Sequence, residues 1–281
     1  MSNNKKFYVI ATPIGNLQEV NIRIEETLKK CDYLFCEDTR ITQKFLNLIK
    51  LSLPKTKLIS YHKFNEKTKL DNLLNLVNNF TCGIISDAGY PTISDPGLII
   101  ISEIRKRFSN INIEVINCSS AAICALVGSG FNTKNFYFYG FLSKNENELK
   151  NELNYLKKIK TTIILFESVH RIATTLNLIG QVFVNEKICV ARELTKKNET
   201  YYFGLATDLS EQITLKGEFV ILIDNNIIAK NIESDFEEDH LKDVKELVKL
   251  GLRLKDACKF VAKKNNLIVS KLYDFFQKEK N

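Results

Sequence analysis

Along the first part of the chain, short apolar runs alternate with longer stretches in which apolar residues recur every three to four positions. The short runs at residues 7–11, 33–36, 57–60, 82–85 and 113–116 read as strands. Between them, Ile24, Thr27 and Leu28, then Phe45, Leu46 and Ile49, then Leu70, Leu73, Leu74 and Val77 mark one face of a helix each. Asn21 is placed to cap the first of these helices, and Thr39 or Thr42 the second. An apolar helix over 98–104 and a small-residue helix with Ala122, Ala125 and Leu126 complete an α/β alternation, which predicts a largely parallel, wound sheet. Beyond Gly130 the rhythm changes. Strands are expected at 136–141, 161–166, 188–191, 201–203 and 219–223, with a lysine-rich helix at 146–159. The fold class is therefore α/β with two α/β domains, at 1–130 and 131–230. A third segment, 231–281, combines an acidic tether with a basic helical tail in which Leu241, Val244, Leu247 and Val248, then Leu254, Ala257, Cys258 and Val261, hold helical spacing.

The chemistry gathers where strands end. The loop 86–97 spends two of the four prolines and two of the eleven glycines within one turn region, between a strand and a helix. Open α/β sheets bind ligands at such carboxyl ends. Asp87 and Asp95 can accept hydrogen bonds there, and Gly89 allows close backbone approach. Polar clusters also end the strands before Thr12, Glu37, Glu167 and Arg192. The basic, aromatic loop 61–66 after the third strand could stack on bases, although a lone His62 is more often structural. No phosphate loop, dinucleotide fingerprint or nucleophile elbow occurs, which disfavours nucleotide hydrolysis, nicotinamide redox and serine hydrolysis.

Composition narrows the setting. No apolar run approaches a membrane span, and the start leads directly into a strand rather than a signal peptide. Seven cysteines without paired spacing read as reduced thiols of a cytoplasmic protein, and with three scattered histidines no metal is expected. The net charge of +7 is uneven: residues 241–281 hold eleven Lys and Arg against five Asp and Glu. That tail points to an anionic partner, although short helical bundles also serve as domain or dimer glue.

Seven segments occur in an order that resembles the ribosomal RNA branch of the tetrapyrrole-methylase superfamily. They are Ala11-Thr12-Pro13-Ile14-Gly15-Asn16-Leu17, Cys36-Glu37-Asp38-Thr39-Arg40, Ser86-Asp87-Ala88-Gly89, Ser94-Asp95-Pro96-Gly97, Phe166-Glu167-Ser168 with His170-Arg171, Ala191-Arg192-Glu193-Leu194-Thr195-Lys196, and Lys216-Gly217-Glu218-Phe219. The resemblance runs from Phe7 to the C-terminus. It implies S-adenosylmethionine as methyl donor, held between two α/β domains of a homodimer, and methyl transfer to a cytidine ribose 2′-oxygen in small-subunit (16S) ribosomal RNA. By position, it assigns the donor to Thr12, Pro13, Ile14, Gly15 and Asn16, to Ser86, Asp87, Ala88 and Gly89, to Ser120 and Ala121, and to Glu167, Ser168, Arg192, Glu193, Gly217 and Glu218. The chain departs from the family at two places: Asn117-Cys118-Ser119-Ser120-Ala121 stands where Pro-Gly-Pro-Ser-Ala is usual, and Val169 where proline is usual.

A ribose hydroxyl is a poor nucleophile at neutral pH, so a base or cation should stand beside it. Glu167, His170, Glu193 and Lys196 are the candidates, and which of them is the base stays open. Arg40, Arg171 and Arg192 in the main body, with Lys255 and Lys259 in the tail, are the residues expected to meet RNA phosphates. Two rival readings keep the same fold: methylation of a tetrapyrrole or other small molecule, and a non-catalytic ribosome-assembly factor.

Overall fold

The structure, a computed structural model, describes residues 5–225, 238–265, 267 and 269–278. It forms two compact units, Met1–Asn225 and Asn226–Asn281. Most of the acidic stretch 232–239 lies outside the described residues.

In the first unit, β1 (Lys5–Ile10), β2 (Tyr33–Cys36), β3 (Lys57–Ser60), β4 (Cys82–Ile85) and β5 (Ile111–Ile116) form a wholly parallel sheet in the order β3-β2-β4-β1-β5. Alternation along β1 shows why its run is unbroken. Phe7 and Val9 enter the core made with α3 (Glu66–Asn79) and α4 (Leu98–Arg107), whereas Tyr8 and Ile10 enter the opposite core made with α1 (Ile22–Lys30) and α2 (Thr39–Leu48). Asn21 caps α1 by accepting from the Ile24 amide, as expected. The cap of α2 is Asp38, whose carboxylate accepts from the Arg40 amide at 2.8 Å, and not Thr39 or Thr42. Thr39 lies inside the first turn, and Thr42 is buried one turn further on.

The second sheet is mixed, in the order β6-β7-β10-β8-β9. Its strands are β6 (Phe136–Phe141), β7 (Thr162–Ser168), β8 (Ile188–Arg192), β9 (Thr200–Gly204) and β10 (Glu218–Asp224), and only β6 and β7 run parallel. One face packs on α6 (Glu146–Lys157), α7 (Ile172–Val182) and α8 (Ala206–Gln212). The other is covered by α5 (Ala121–Ser129), which follows β5 of the first sheet. Ala122, Ala125 and Leu126 of α5 lie against Ile164, Cys189, Ala191 and Val220. The helix leaving one sheet thus seals the other, and small side chains permit the close approach.

The second unit holds α9 (Glu238–Lys249), α10 (Leu254–Lys264) and α11 (Val269–Lys278) around Leu241, Val244, Cys258, Val261 and Leu272. Gly251, at φ +96°, follows α9, where its amide and that of Leu252 close on the carbonyls of Val248 and Leu247. All seven cysteines are free, and five are buried. Among the described residues, no helix is long and apolar enough to cross a membrane.

Candidate active site

A cavity of about 450 Å³ opens where the strand ends of the two sheets meet within the first unit. The parallel sheet contributes Ile14 after β1, Glu37 after β2, and Asp87, Ala88, Gly89 and Asp95 after β4. Ser120 and Ala121 enter at the start of α5. The mixed sheet adds Phe141, Phe166, Glu167, Ser168 and Glu218. Nine of the residues proposed to hold the donor line this space: Ile14, Asp87, Ala88, Gly89, Ser120, Ala121, Glu167, Ser168 and Glu218.

Others among the expected residues build the walls rather than face the space. Thr12 and Gly89 form a two-way backbone bridge of 2.9 and 3.0 Å. The Ser86 hydroxyl donates to Gly89 O at 2.8 Å, and the Thr12 hydroxyl donates to Ser86 O. This knot ties the loop after β4 to the loop after β1. Pro13 is buried beside it, and Asn16 caps the short turn Leu17–Glu19.

Gly15, Glu193, Lys196, Gly217 and Glu218 form a bracket between the sheets. The Lys196 ammonium donates to Glu193 Oε1 at 2.9 Å and to Glu218 Oε2 at 2.7 Å, and its methylenes lie where a Cβ on Gly15 would stand. A Cβ on Gly217 would collide in the same way with the Glu193 carboxylate. Burial works against the Lys196 ammonium, but its hydrogen bonds to Glu218 and Glu193 outweigh it and leave the pKa raised. Burial opposes ionisation of Glu193 too, yet the bond from Lys196 prevails and its pKa is lowered. A lysine held this firmly charged is a lock and not a proton acceptor.

Glu167, Phe219 and Arg192 lie in one row across β7, β10 and β8. The Glu167 carboxylate, 1% exposed, accepts from the Thr175 hydroxyl at 2.7 Å and pairs with Arg171 at 3.3 Å. Arg171 in turn donates to Leu142 O and Ser143 O, with 2.9 Å to the latter. Arg192 is buried, with its guanidinium on Lys216 O at 2.5 Å and Asn198 O at 3.4 Å. These arginines brace backbone. His170 is exposed on the turn after β7 and does not line the cavity. Arg40 is 89% exposed and chelates Asp38. Lys255 and Lys259 are exposed on α10 in the second unit.

Sequence reasoning named Asp87 and Asp95 but did not foresee that Glu37 joins them in an acidic trio. Burial pushes the Asp95 carboxyl up to about 7; the Glu37 charge adds to the effect, Lys63 opposes it, and Asp87 adds a little more. Burial and the Asp87 charge likewise raise Glu37, and burial raises Asp87. The loop that carries Asp95 is also strained. Thr92 and Ser94 adopt φ of +77° and +71°, and across the cavity Glu193 and Thr195 adopt +53° and +66°. Left-handed residues other than glycine cost of order 1–3 kcal/mol each and persist where surrounding structure fixes them. Opposite the acids, Phe141 and Phe166 present an apolar wall, with ring centroids 5.6 Å apart. Among the described residues, no group of three or more His, Cys, Asp or Glu side chains is arranged to hold a metal ion.

Residues 6–210 match the model of the tetrapyrrole (corrin/porphyrin) methylases. The chain is 43% identical over 274 residues to ribosomal RNA small subunit methyltransferase I of Mycoplasma genitalium, across 97% of this chain and 98% of that protein. The chain belongs to the tetrapyrrole methylase family. It is 34% identical over 281 residues to the protein of the same name from Bacillus subtilis, across 96% and 93% of the two chains. The fold of this tetrapyrrole methylase matches that of the methyltransferase CobJ with a TM-score of 0.58 at 12% identity, covering 78% of this chain and 93% of that one. Diphthine synthase matches with a TM-score of 0.57 at 10% identity, covering 78% and 89%. The protein is a methyltransferase, and methyltransferases of this family use S-adenosylmethionine.

Proposed function

We propose that this methylase transfers a methyl group from S-adenosylmethionine to the ribose 2′-oxygen of a cytidine in small-subunit (16S) ribosomal RNA, with the donor in the cavity between the sheets. The composition of the cavity carries the reading. The Glu37 and Asp87 carboxylates face a ligand whose sulfonium and ammonium are cationic and whose ribose offers hydroxyl donors, while the Phe141–Phe166 wall suits an adenine face. The volume falls within the ordinary range for such ligands. The substrate rests on the end-to-end similarity to proteins named for the small-subunit RNA. When bound, the donor supplies an electrophilic methyl on a sulfonium.

The chain supplies position and a proton acceptor. Holding an acceptor hydroxyl in line can contribute about 7–11 kcal/mol of barrier reduction. Asp95 is the base in this reading: with its carboxyl near 7, a large ionised fraction coexists with useful basicity at neutral pH. Glu167, Glu193 and Lys196 hold the two lobes in register around it. The division at 1–130, 131–230 and 231–281, a homodimer and a cytoplasmic setting accompany the proposal; sedimentation tests the dimer.

Titration calorimetry with S-adenosylmethionine, followed by labelled methyl incorporation into small ribosomal subunits against a corrinoid panel, tests this reading. Incorporation into corrinoids alone would replace the substrate; absence of donor binding would remove the enzyme. Asp87→Ala should weaken donor affinity about tenfold or more, the loss expected for a hydrogen bond to a charged group, with the fold unchanged by circular dichroism. In the tail, Lys255 and Lys259 stand one helical turn apart. Replacing both with alanine should flatten the dependence of log affinity on log salt by roughly 1.4 for single-stranded RNA. Equal slopes would assign that face to packing.

A further inference from the structure

Phe64 is the most exposed of the large apolar side chains in the described residues, at 95%. It stands on the turn between β3 and α3, and that turn is locked. The His62 amide donates to Asn65 Oδ1 at 2.9 Å, the Asn65 amide donates to His62 O at 2.9 Å, and the Asn65 side chain donates to Ser60 O at 3.3 Å. Glu66, closing the turn, accepts from the Gly97 amide at 2.9 Å, which joins the turn to the end of the loop that carries Asp95. A ring held in water on a rigid tip contributes nothing to the core. Its neighbours are polar and cationic. His62 meets it edge-on at 6.0 Å, and Lys63 precedes it with its charge bearing on both Glu37 and Asp95 of the cavity.

We infer that the exposed face of Phe64 is a stacking platform for one unpaired nucleobase of the RNA substrate, beside the nucleotide whose ribose enters the cavity, with Lys63 meeting the adjoining phosphate. The inference rests on the proposed RNA substrate. Stacking accepts any base, because every base has a π face, and a pre-formed tip loses little freedom when the base arrives. The cation next to the ring complements the phosphate that the stacked nucleotide carries with it. The platform therefore fixes which ribose reaches Asp95 by engaging a neighbour.

The chain contains no tryptophan, so Phe64→Trp places a single tryptophan, excited selectively over the tyrosines, at the site. Adding a short single-stranded oligoribonucleotide should quench its emission. Phe64→Ala should bind that oligoribonucleotide roughly 5- to 150-fold more weakly and lose kcat/KM on small-subunit RNA to match, while calorimetry finds its S-adenosylmethionine affinity unchanged. Lys63→Ala should lower the salt slope by about 0.7. Unquenched emission from the Phe64→Trp variant, together with wild-type RNA affinity in Phe64→Ala, overturns the inference. If the wild-type chain methylates small-subunit RNA and Phe64→Ala matches it, this inference alone fails; a wild-type chain that methylates no RNA fails the underlying reading as well.

Discussion

Replacing Asp95 with asparagine should lower the rate of methyl transfer by roughly 10²–10⁴-fold, the usual contribution of a positioned proton acceptor, while changing donor affinity far less. The wild-type rate should climb as pH rises through about 7, because only the ionised carboxylate can take the hydroxyl proton. In Asp95→Asn that rising limb should vanish. Stability should move the other way. In the unfolded chain this carboxyl titrates near ~3.9, whereas in the fold it holds its proton up to about 7. Across that window the folded state binds more protons, so stability falls with rising pH, and above it the cost is constant. The variant removes the cost. It should match the wild type near the unfolded pKa and exceed it at alkaline pH by ~1–2 kcal/mol, after discounting for solvent screening of a half-buried group. Urea unfolding at two pH values measures the difference. An unchanged rate and pH profile would return the search for the base to the other cavity acids.

The parallel sheet was legible because its central strands β2, β4 and β1 are apolar on both faces and stand out against the helical spacing around them, whereas the edge strands β3 and β5 keep exposed positions and were placed by their alternation with helices. The strand ends were harder. Glu167, Ser168 and Arg192 read as loop because they are polar, yet each holds its place in the ladder against β10. Polarity there reflects a core that admits braced charges, which a local window does not reveal. Helices α7 and α8 went unnoticed: α7 is apolar on much of its surface, and α8 is a short helix. The boundary at residue 130 placed α5 with the sheet that precedes it in sequence, whereas its apolar face packs on the other. Chain order does not encode that choice.

The same limit applies to the site. Asp87 and Asp95 look alike in sequence, eight positions apart in one loop. What separates them is burial and the Glu37 charge, which arrives from a different strand. His170 follows Glu167 so closely that a shared role was natural to expect, but the turn after β7 carries it outward. Glu193 and Lys196 were found by their motif, and the geometry ties them to Glu218 and Gly15 across the sheets, an arrangement that no spacing along the chain predicts.

Arg171→Met should destabilise the fold by ~3–5 kcal/mol, because it leaves the buried Glu167 carboxylate without its cation. Methionine keeps much of the stem's packing, so the loss reports the charge and the bonds to Leu142 O and Ser143 O rather than a cavity. The double variant Glu167→Gln/Arg171→Met should lose less than the sum of the two single changes, since a neutral amide still accepts from Thr175 and strands no charge. A shift of the urea midpoint with an unchanged slope is the expected signature. A role in steering RNA phosphate predicts the opposite pattern: stability near wild type, and a KM for RNA that rises and depends less on salt. The two outcomes separate because a guanidinium already spent on two carbonyls and a buried carboxylate has little left to offer a phosphate, so its removal should register in the folded protein before any substrate is present.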